Sequence, residues 1–172
     1  QVIAAKDGKV FYNKSFGNLG YGNFPRVNNN NLYDIASISK VAATTLASMK
    51  LYETSMLDLN DSIKYYIDDT INCTIKNHQI RDFFLHQSGL QSDMPILQYI
   101  RYRNKSIKRF DKYYSEKSDT SYSIKVADHY FLRKDYVDSI IYSLYNLEWD
   151  STKVFNYSDI NFNIIYDVIL RK

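Results

Sequence analysis

The chain has 172 residues, of which 45% are hydrophobic and 16% aromatic, and a net charge of +3. That is enough apolar material for the core of one domain and excludes a disordered linker. A mean hydropathy of −0.42 and the lack of any apolar run near the roughly 18 residues of a membrane-spanning helix exclude such a span. The single cysteine, Cys73, excludes an internal disulfide and a cysteine-rich zinc module.

In chain order, Val2 to Ala5 and Lys9 to Tyr12 are runs of strand formers separated by Asp7-Gly8, a dipeptide that tolerates positive φ, and so predict a β-hairpin. Phe16 to Asn31, with three glycines, Pro25 and four consecutive asparagines, reads as an exposed connection. From Ile35 to about Glu53 glycine and proline vanish, and Val41, Ala42, Thr45, Leu46, Met49 and Tyr52 recur at helical spacing. Small residues there suit close packing, which predicts a central helix. Leu57, Leu59, Ile63 and Ile67 predict a short amphipathic piece, and Ile75 to Leu85 a helix stopped by His86-Gln87-Ser88-Gly89, with Gly89 as its C-cap. Residues 91 to 150 are polar, aromatic and basic, and read as an insertion or lid that is helical near Tyr136 to Leu147. Ile160, Ile164, Ile165, Val168 and Ile169 then predict a last helix.

The sharpest chemical feature is Ser37-Ile38-Ser39-Lys40, at the start of the alanine-rich helix. A lysine three residues after a serine stands one helical turn away on the same face. A hydroxyl needs a neighbouring base to become a nucleophile, and the free N–H groups of a helix start suit an oxyanion. A capping serine with a solvated lysine would give the same tetrapeptide. Tyr157-Ser158-Asp159 opens the last helix, and a tyrosine beside an ammonium can serve as a general base; a strand-end tyrosine followed by a capping residue is the plainer reading.

Ala36 to Val41 after Leu32-Tyr33-Asp34-Ile35, then Ile80 to Leu90, then Tyr157 to Phe162 occur in the order found in the serine β-lactamase and penicillin-binding-protein-like family, which the chain resembles over nearly all its length. The similar branch comprises class C enzymes, D-alanyl-D-alanine carboxypeptidases and esterases. Residues 126 to 132 through Asp159 look most like serine-hydrolase domains fused behind bacterial family 3 glycoside hydrolases. The resemblance implies an α+β fold of β-lactamase/transpeptidase type, an antiparallel sheet with packed helices. It also implies Ser37 as the acylated nucleophile, Lys40 as its proton-transfer partner and Tyr157 as base. Asp159 stands where the family usually has asparagine, and a carboxylate there would hold Lys40 charged. The expected substrate is a small molecule or a peptidoglycan-like compound with an ester or amide carbonyl, be it a β-lactam, a D-alanyl peptide or a simple ester. No metal or organic cofactor is required, and export to the periplasm or outside the cell is implied.

The family closes its site with a late strand bearing K-T-G or H-x-G, and nothing after Tyr157 supplies it. The chain is therefore expected to be part of a domain of roughly 300 residues or more, incomplete on its C-terminal side and lacking full activity. A noncatalytic binding or scaffold domain for a cell-wall polymer or a protein partner is the alternative.

Other features carry less. His78, His86 and His129 lack ligand spacing, and Asp58, Asp61, Asp68 and Asp69 lack the glycine and glutamate of a calcium loop. Asn13, Asn60, Asn72, Asn104 and Asn156 begin N-x-[ST] triplets, which an asparagine-rich chain makes by chance. Arg101 to Lys117 holds seven Lys/Arg and two Asp/Glu, so it carries +5 and the remainder −2. With no nucleic-acid fold around it, this run reads as a solvated lid rather than a nucleic-acid surface. Cys73 is expected to be a small buried residue.

Overall fold

The computed structural model describes residues 1–68, 73–93 and 113–172. Among these, helices and antiparallel strands coexist, the α+β architecture expected. The chain divides into two compact units, Gln1–Ile38 and Ser39–Lys172.

In the first unit, β1 (Val2–Lys6) pairs antiparallel with β2 (Lys9–Lys14). Asp7 and Gly8 turn the chain with φ of 51° and 73°, the two positive values that a tight two-residue hairpin turn requires. A bulge follows Ala4, which pairs with Tyr12 while Ala5 pairs with Val10. The connection 16–31 is irregular and is closed on itself by Leu19 donating to the Pro25 carbonyl and Val27 to that of Gly17. Beyond it, the Asp34 carboxylate accepts the Ala36 N–H, and Ile38 donates to the Ile35 carbonyl.

The second unit contains the core. A wide π-helical turn, Lys40–Thr45, runs into α1 (Leu46–Glu53). The Thr45 hydroxyl donates to the Lys40 carbonyl five residues back, a reach that suits the wider turn. A three-residue 3-10 helix, Ile63–Tyr65, precedes α2 (Ile80–Phe84). A small sheet in the order β3-β5-β4 follows, built from β3 (Tyr114–Ser115), β4 (Ile124–Ala127) and β5 (Tyr130–Leu132). It leads into α3 (Lys134–Tyr145), and the chain reaches α4 (Asp159–Leu170).

Helix α4 is the centre. Ile160, Ile164, Ile165 and Val168 are fully buried and pack with Ile63, Ile75, Ile80, Phe83 and Tyr145. Each such aliphatic side chain contributes about 1.5–3 kcal/mol by leaving water. The Tyr145 hydroxyl donates to Asp167, which also holds Arg171 at 2.8 Å, and so finds its partner at the core's edge.

Two expectations need correction. Residues 75–79 are not helical, because Gln79 is extended and bridges Ser62, which confines α2 to five residues. The left-handed residue ending α2 is His86, with φ 55°, and not Gly89. The alanine-rich helix packs as its small residues suggest: Ser48 is buried and Lys40 nearly so, while Val41, Leu46, Met49 and Tyr52 are exposed. The π turn and α1 pack against α4, and the Lys40 ion pair described below draws the small, polar side of the helix inward instead of its apolar stripe.

Gly89 has a different task from the one expected. At φ 78° it lets the chain approach residue 150 so closely that an added Cβ would lie 1.8 Å from the Asp150 carbonyl oxygen. Gly89→Ala is therefore expected to cost about 3 kcal/mol or more, from backbone strain plus overpacking. Urea unfolding would show this as a lower midpoint with an unchanged slope.

Candidate active site

The site is built where two stretches far apart in sequence meet, 86–92 after α2 and 156–161 at the entrance to α4. His86 Nδ1 accepts the Ser158 backbone N–H at 3.1 Å and faces Asn161 Nδ2 at 3.2 Å. The ring nitrogen that accepts both cannot carry the proton, so His86 is the Nε2–H tautomer. The Ser88 hydroxyl donates to Asn161 Oδ1 at 2.6 Å, and the Ser158 hydroxyl to the Gln91 carbonyl at 2.6 Å. Asn156 Nδ2 donates to the Leu90 carbonyl, and the Asp159 N–H to that of Ser92. Ser158 thus uses its hydroxyl across the junction and makes no side-chain cap on α4.

This junction aims Tyr157 and Asp159 at Lys40. Asp159 Oδ1 lies 2.6 Å from Lys40 Nζ, and the ammonium stands 5.1 Å from the Tyr157 ring centroid and 5.9 Å from that of Phe162. Tyr157 in turn lies over His86, ring centroids 4.5 Å apart. Lys40, Tyr157 and Asp159 are therefore brought together. Ser37 belongs to the other unit, where it sits exposed in the turn ahead of the helix. Ala36 before it has φ 43°, a left-handed conformation that costs an alanine about 1–2 kcal/mol.

Electrostatics divides the two basic groups. Burial of Lys40 pulls its pKa down, but hydrogen bonds and charge from Asp159 and Tyr157 outweigh that and hold the ammonium above its ordinary range. At His86, burial and the nearby Lys40 charge both lower the pKa, with only Asp159 opposing. Of these two groups, the surroundings favour the cation on the lysine and disfavour it on the histidine.

His86, Ser88 and Asn161 were not singled out by sequence as site residues. His86-Gln87-Ser88-Gly89 reads as a helix stop, and His86 fails only as a metal ligand. The signal was the histidine itself, a polar ring between an apolar helix and a glycine. His78 is likewise internal, its ring nitrogens facing the Ile75 and Ser88 carbonyls and its edge meeting Trp149. His129 is exposed at the β4–β5 turn. Asp61 accepts from the Tyr66 hydroxyl and Asp58 from the Asn60 N–H, while Asp69 and the basic residues 101–112 lie outside the described residues. Among the described residues no group of three or more His, Cys, Asp or Glu is placed to hold a metal, and no helix is long and apolar enough to cross a membrane. Cys73 is buried, and burial pushes its thiol pKa up.

An antiparallel α+β fold with this constellation at a helix entrance is of the β-lactamase/transpeptidase-like class. The family model described as Beta-lactamase matches residues 1–172, and the chain belongs to that family, whose membership supports serine-hydrolase-type function. Among curated proteins it is similar to Protein flp of Staphylococcus aureus strain NCTC 8325 / PS 47, at 31% identity over 96 residues. Protein flp of strains COL and MW2 matches to the same extent. The match covers 54% of this chain and 19% of that protein, about a fifth of its length. No solved structure matches at the same stringency.

Two outcomes are expected. His86→Leu leaves the buried Ser158 N–H and Asn161 amide without their acceptor and should destabilise by about 1–3 kcal/mol. His86→Asn suits the left-handed backbone, offers a carbonyl, and should cost less. Because the folded His86 pKa is depressed, its neutral form's stabilisation is present above the unfolded value near 6.5 and is lost as pH falls through the folded one. Urea unfolding at neutral and mildly acid pH would show a steeper acid loss in the wild type than in His86→Asn.

The Lys40 pair has the opposite sign. A raised folded pKa gives stability that is fully present below the unfolded lysine value and fades as pH rises through the folded one. Asp159→Asn is expected to move the Lys40 titration to lower pH, followed through its 13C-labelled ε-carbon by NMR. An unmoved titration would show that the carboxylate does not hold the ammonium.

Proposed function

We propose that this chain carries the nucleophile and proton-transfer groups of a serine acyl-enzyme hydrolase acting on an ester or amide. The carrying observation is the Lys40 ammonium gripped by Asp159 and in contact with Tyr157, three residues along the chain from Ser37.

An ammonium held charged is not a base, which assigns proton uptake to Tyr157. A neighbouring cation favours the ionised form of a phenol. Ser37 Oγ bonds to the substrate carbonyl carbon as its proton passes to the Tyr157 oxygen. The bond from that carbon to the alcohol or amine then breaks, and the leaving group departs with the proton. Water attacks the acyl-serine ester, gives a proton to Tyr157, and the acid leaves as Ser37 regains its hydrogen. Lys40 keeps its proton throughout and balances the charge that moves on and off the phenol. The Ser37 backbone N–H is the proposed donor to the oxyanion.

The family match supports the acyl-transfer chemistry in general; the substrate among β-lactams, D-alanyl peptides and simple esters, and an exported location, are further parts of the same reading. The narrower kinship with domains fused to glycoside hydrolases rests on the resemblance of residues 126–132 through Asp159. A second reading, a noncatalytic binding domain, draws on the same ion pair, since Asp159 competes with Tyr157 for the Lys40 charge.

The test is labelling of the full-length protein with a fluorophosphonate and a fluorescent penicillin. The expected adduct lies on Ser37, is absent in Ser37→Ala, and forms at least about a hundredfold more slowly in Tyr157→Phe, as befits loss of a general base. No adduct, with a control enzyme labelled in parallel, would reject the hydrolase in favour of the binding domain.

A further inference from the structure

We propose that Asp159 is a specificity-determining residue that turns the site toward neutral and cationic acyl donors and against donors carrying a carboxylate near the scissile bond. The inference deepens the hydrolase reading and rests on it.

The two partners of the Lys40–Asp159 ion pair are unequally exposed. Lys40 has 14% of its side chain exposed and Asp159 has 56%. The pair is neutral in sum, but its cation lies underneath, over the Tyr157 and Phe162 rings, and its anion lies outside. Such a pair is a dipole with its negative end toward solvent. An arriving molecule meets the carboxylate before the ammonium. The carboxylate is also fixed in place, since Asp159 is the first residue of α4 and its N–H is tied to the Ser92 carbonyl at 3.0 Å. Beneath Tyr157, the ring of His86 accepts through Nδ1 and adds no positive charge to offset it.

An amide in the same position would leave the Lys40 ammonium as the nearest charge, and the same surface would attract anions. Among the described residues, one side chain therefore sets the sign of the charge presented beside Lys40. A substrate charge about 4 Å from the carboxylate is about 2.6 Å farther from the ammonium, so in a water-like dielectric the pair's dipole is worth about twofold in rate constant per unit charge at low salt.

The experiment uses the full-length protein and three p-nitrophenyl esters of similar acyl length: the succinate monoester, the butyrate, and the 4-(trimethylammonio)butyrate. The expected order of kcat/KM is cationic, neutral, anionic, with about twofold between neighbours at low salt and less at 0.5 M. Asp159→Asn should collapse or reverse the order, and Asp159→Glu should restore it. Losing the carboxylate also exposes the Lys40 charge, which contributes to the reversal, while any loss of catalytic competence is common to the three esters and cancels in their ratios. The salt dependence in the wild type gives a second readout that requires no variant.

Turnover that depends on Ser37, with an order that neither salt nor Asp159→Asn alters, would overturn this proposal and leave the hydrolase standing. Equal turnover by wild type and Ser37→Ala would remove the hydrolase reading and this one with it.

Discussion

The structure depends on the seam between residues 86–92 and 156–161. The first stretch is irregular and the second runs from an irregular piece into the first turn of α4, whose N–H groups have no intrahelical partner, so each satisfies polar groups through the other. The His86 ring serves Ser158 and Asn161, the Ser88 hydroxyl reaches Asn161, and Ser158, Asn156 and Asp159 close on carbonyls of 90–92. A hydrogen bond made in place of one to water contributes only about 1 kcal/mol, but a buried group left unpaired costs about 1–3 kcal/mol. The seam is therefore held less by the strength of any one bond than by the cost of opening part of it. Its product is directional: Tyr157 and Asp159 alternate with buried Ser158 and Ile160, and so both come out on the side where Lys40 lies.

That seam also sets which group is charged. Burial acts on Lys40 and His86 in the same direction, against the cation, yet the outcomes differ because their partners differ. Lys40 meets a carboxylate and a phenol, which favour the ammonium. His86 meets N–H donors, which favour a bare lone pair, and it feels the lysine as a like charge. One protonation pattern satisfies both positions, and protonating His86 would remove an acceptor from the seam while placing a second cation beneath Tyr157.

How much of this could be read from the chain depends on the range of the interaction. The hairpin was legible because Asp7-Gly8 dictates a local turn, and α4 because Ile160, Ile164, Ile165 and Val168 mark one face. Lys40, Tyr157 and Asp159 were legible as chemical types next to helix starts. The seam was not, because Ser88 and Asn161 are 73 residues apart and no period links them. Which side of the alanine-rich helix faces inward follows the small residues and not the apolar stripe. Periodicity finds the apolar stripe, whereas here a lysine bonded across the fold and a π turn decide which side faces α4. Gly89 misled in another way, since its positive φ serves an approach to Asp150 that sequence does not reveal.

The π turn completes the logic of the lysine. A lysine side chain gives up about 2 kcal/mol of rotamer freedom when it is held in one place, and an ammonium that had to be ordered by each arriving substrate would charge that cost to binding. Here the Thr45 hydroxyl holds the Lys40 carbonyl while Asp159, Tyr157 and Phe162 hold the other end of the side chain. Both ends are fixed by interactions that folding alone establishes. The ordering cost is therefore borne by the core around α4, and the charge opposite Tyr157 is in position before any substrate arrives.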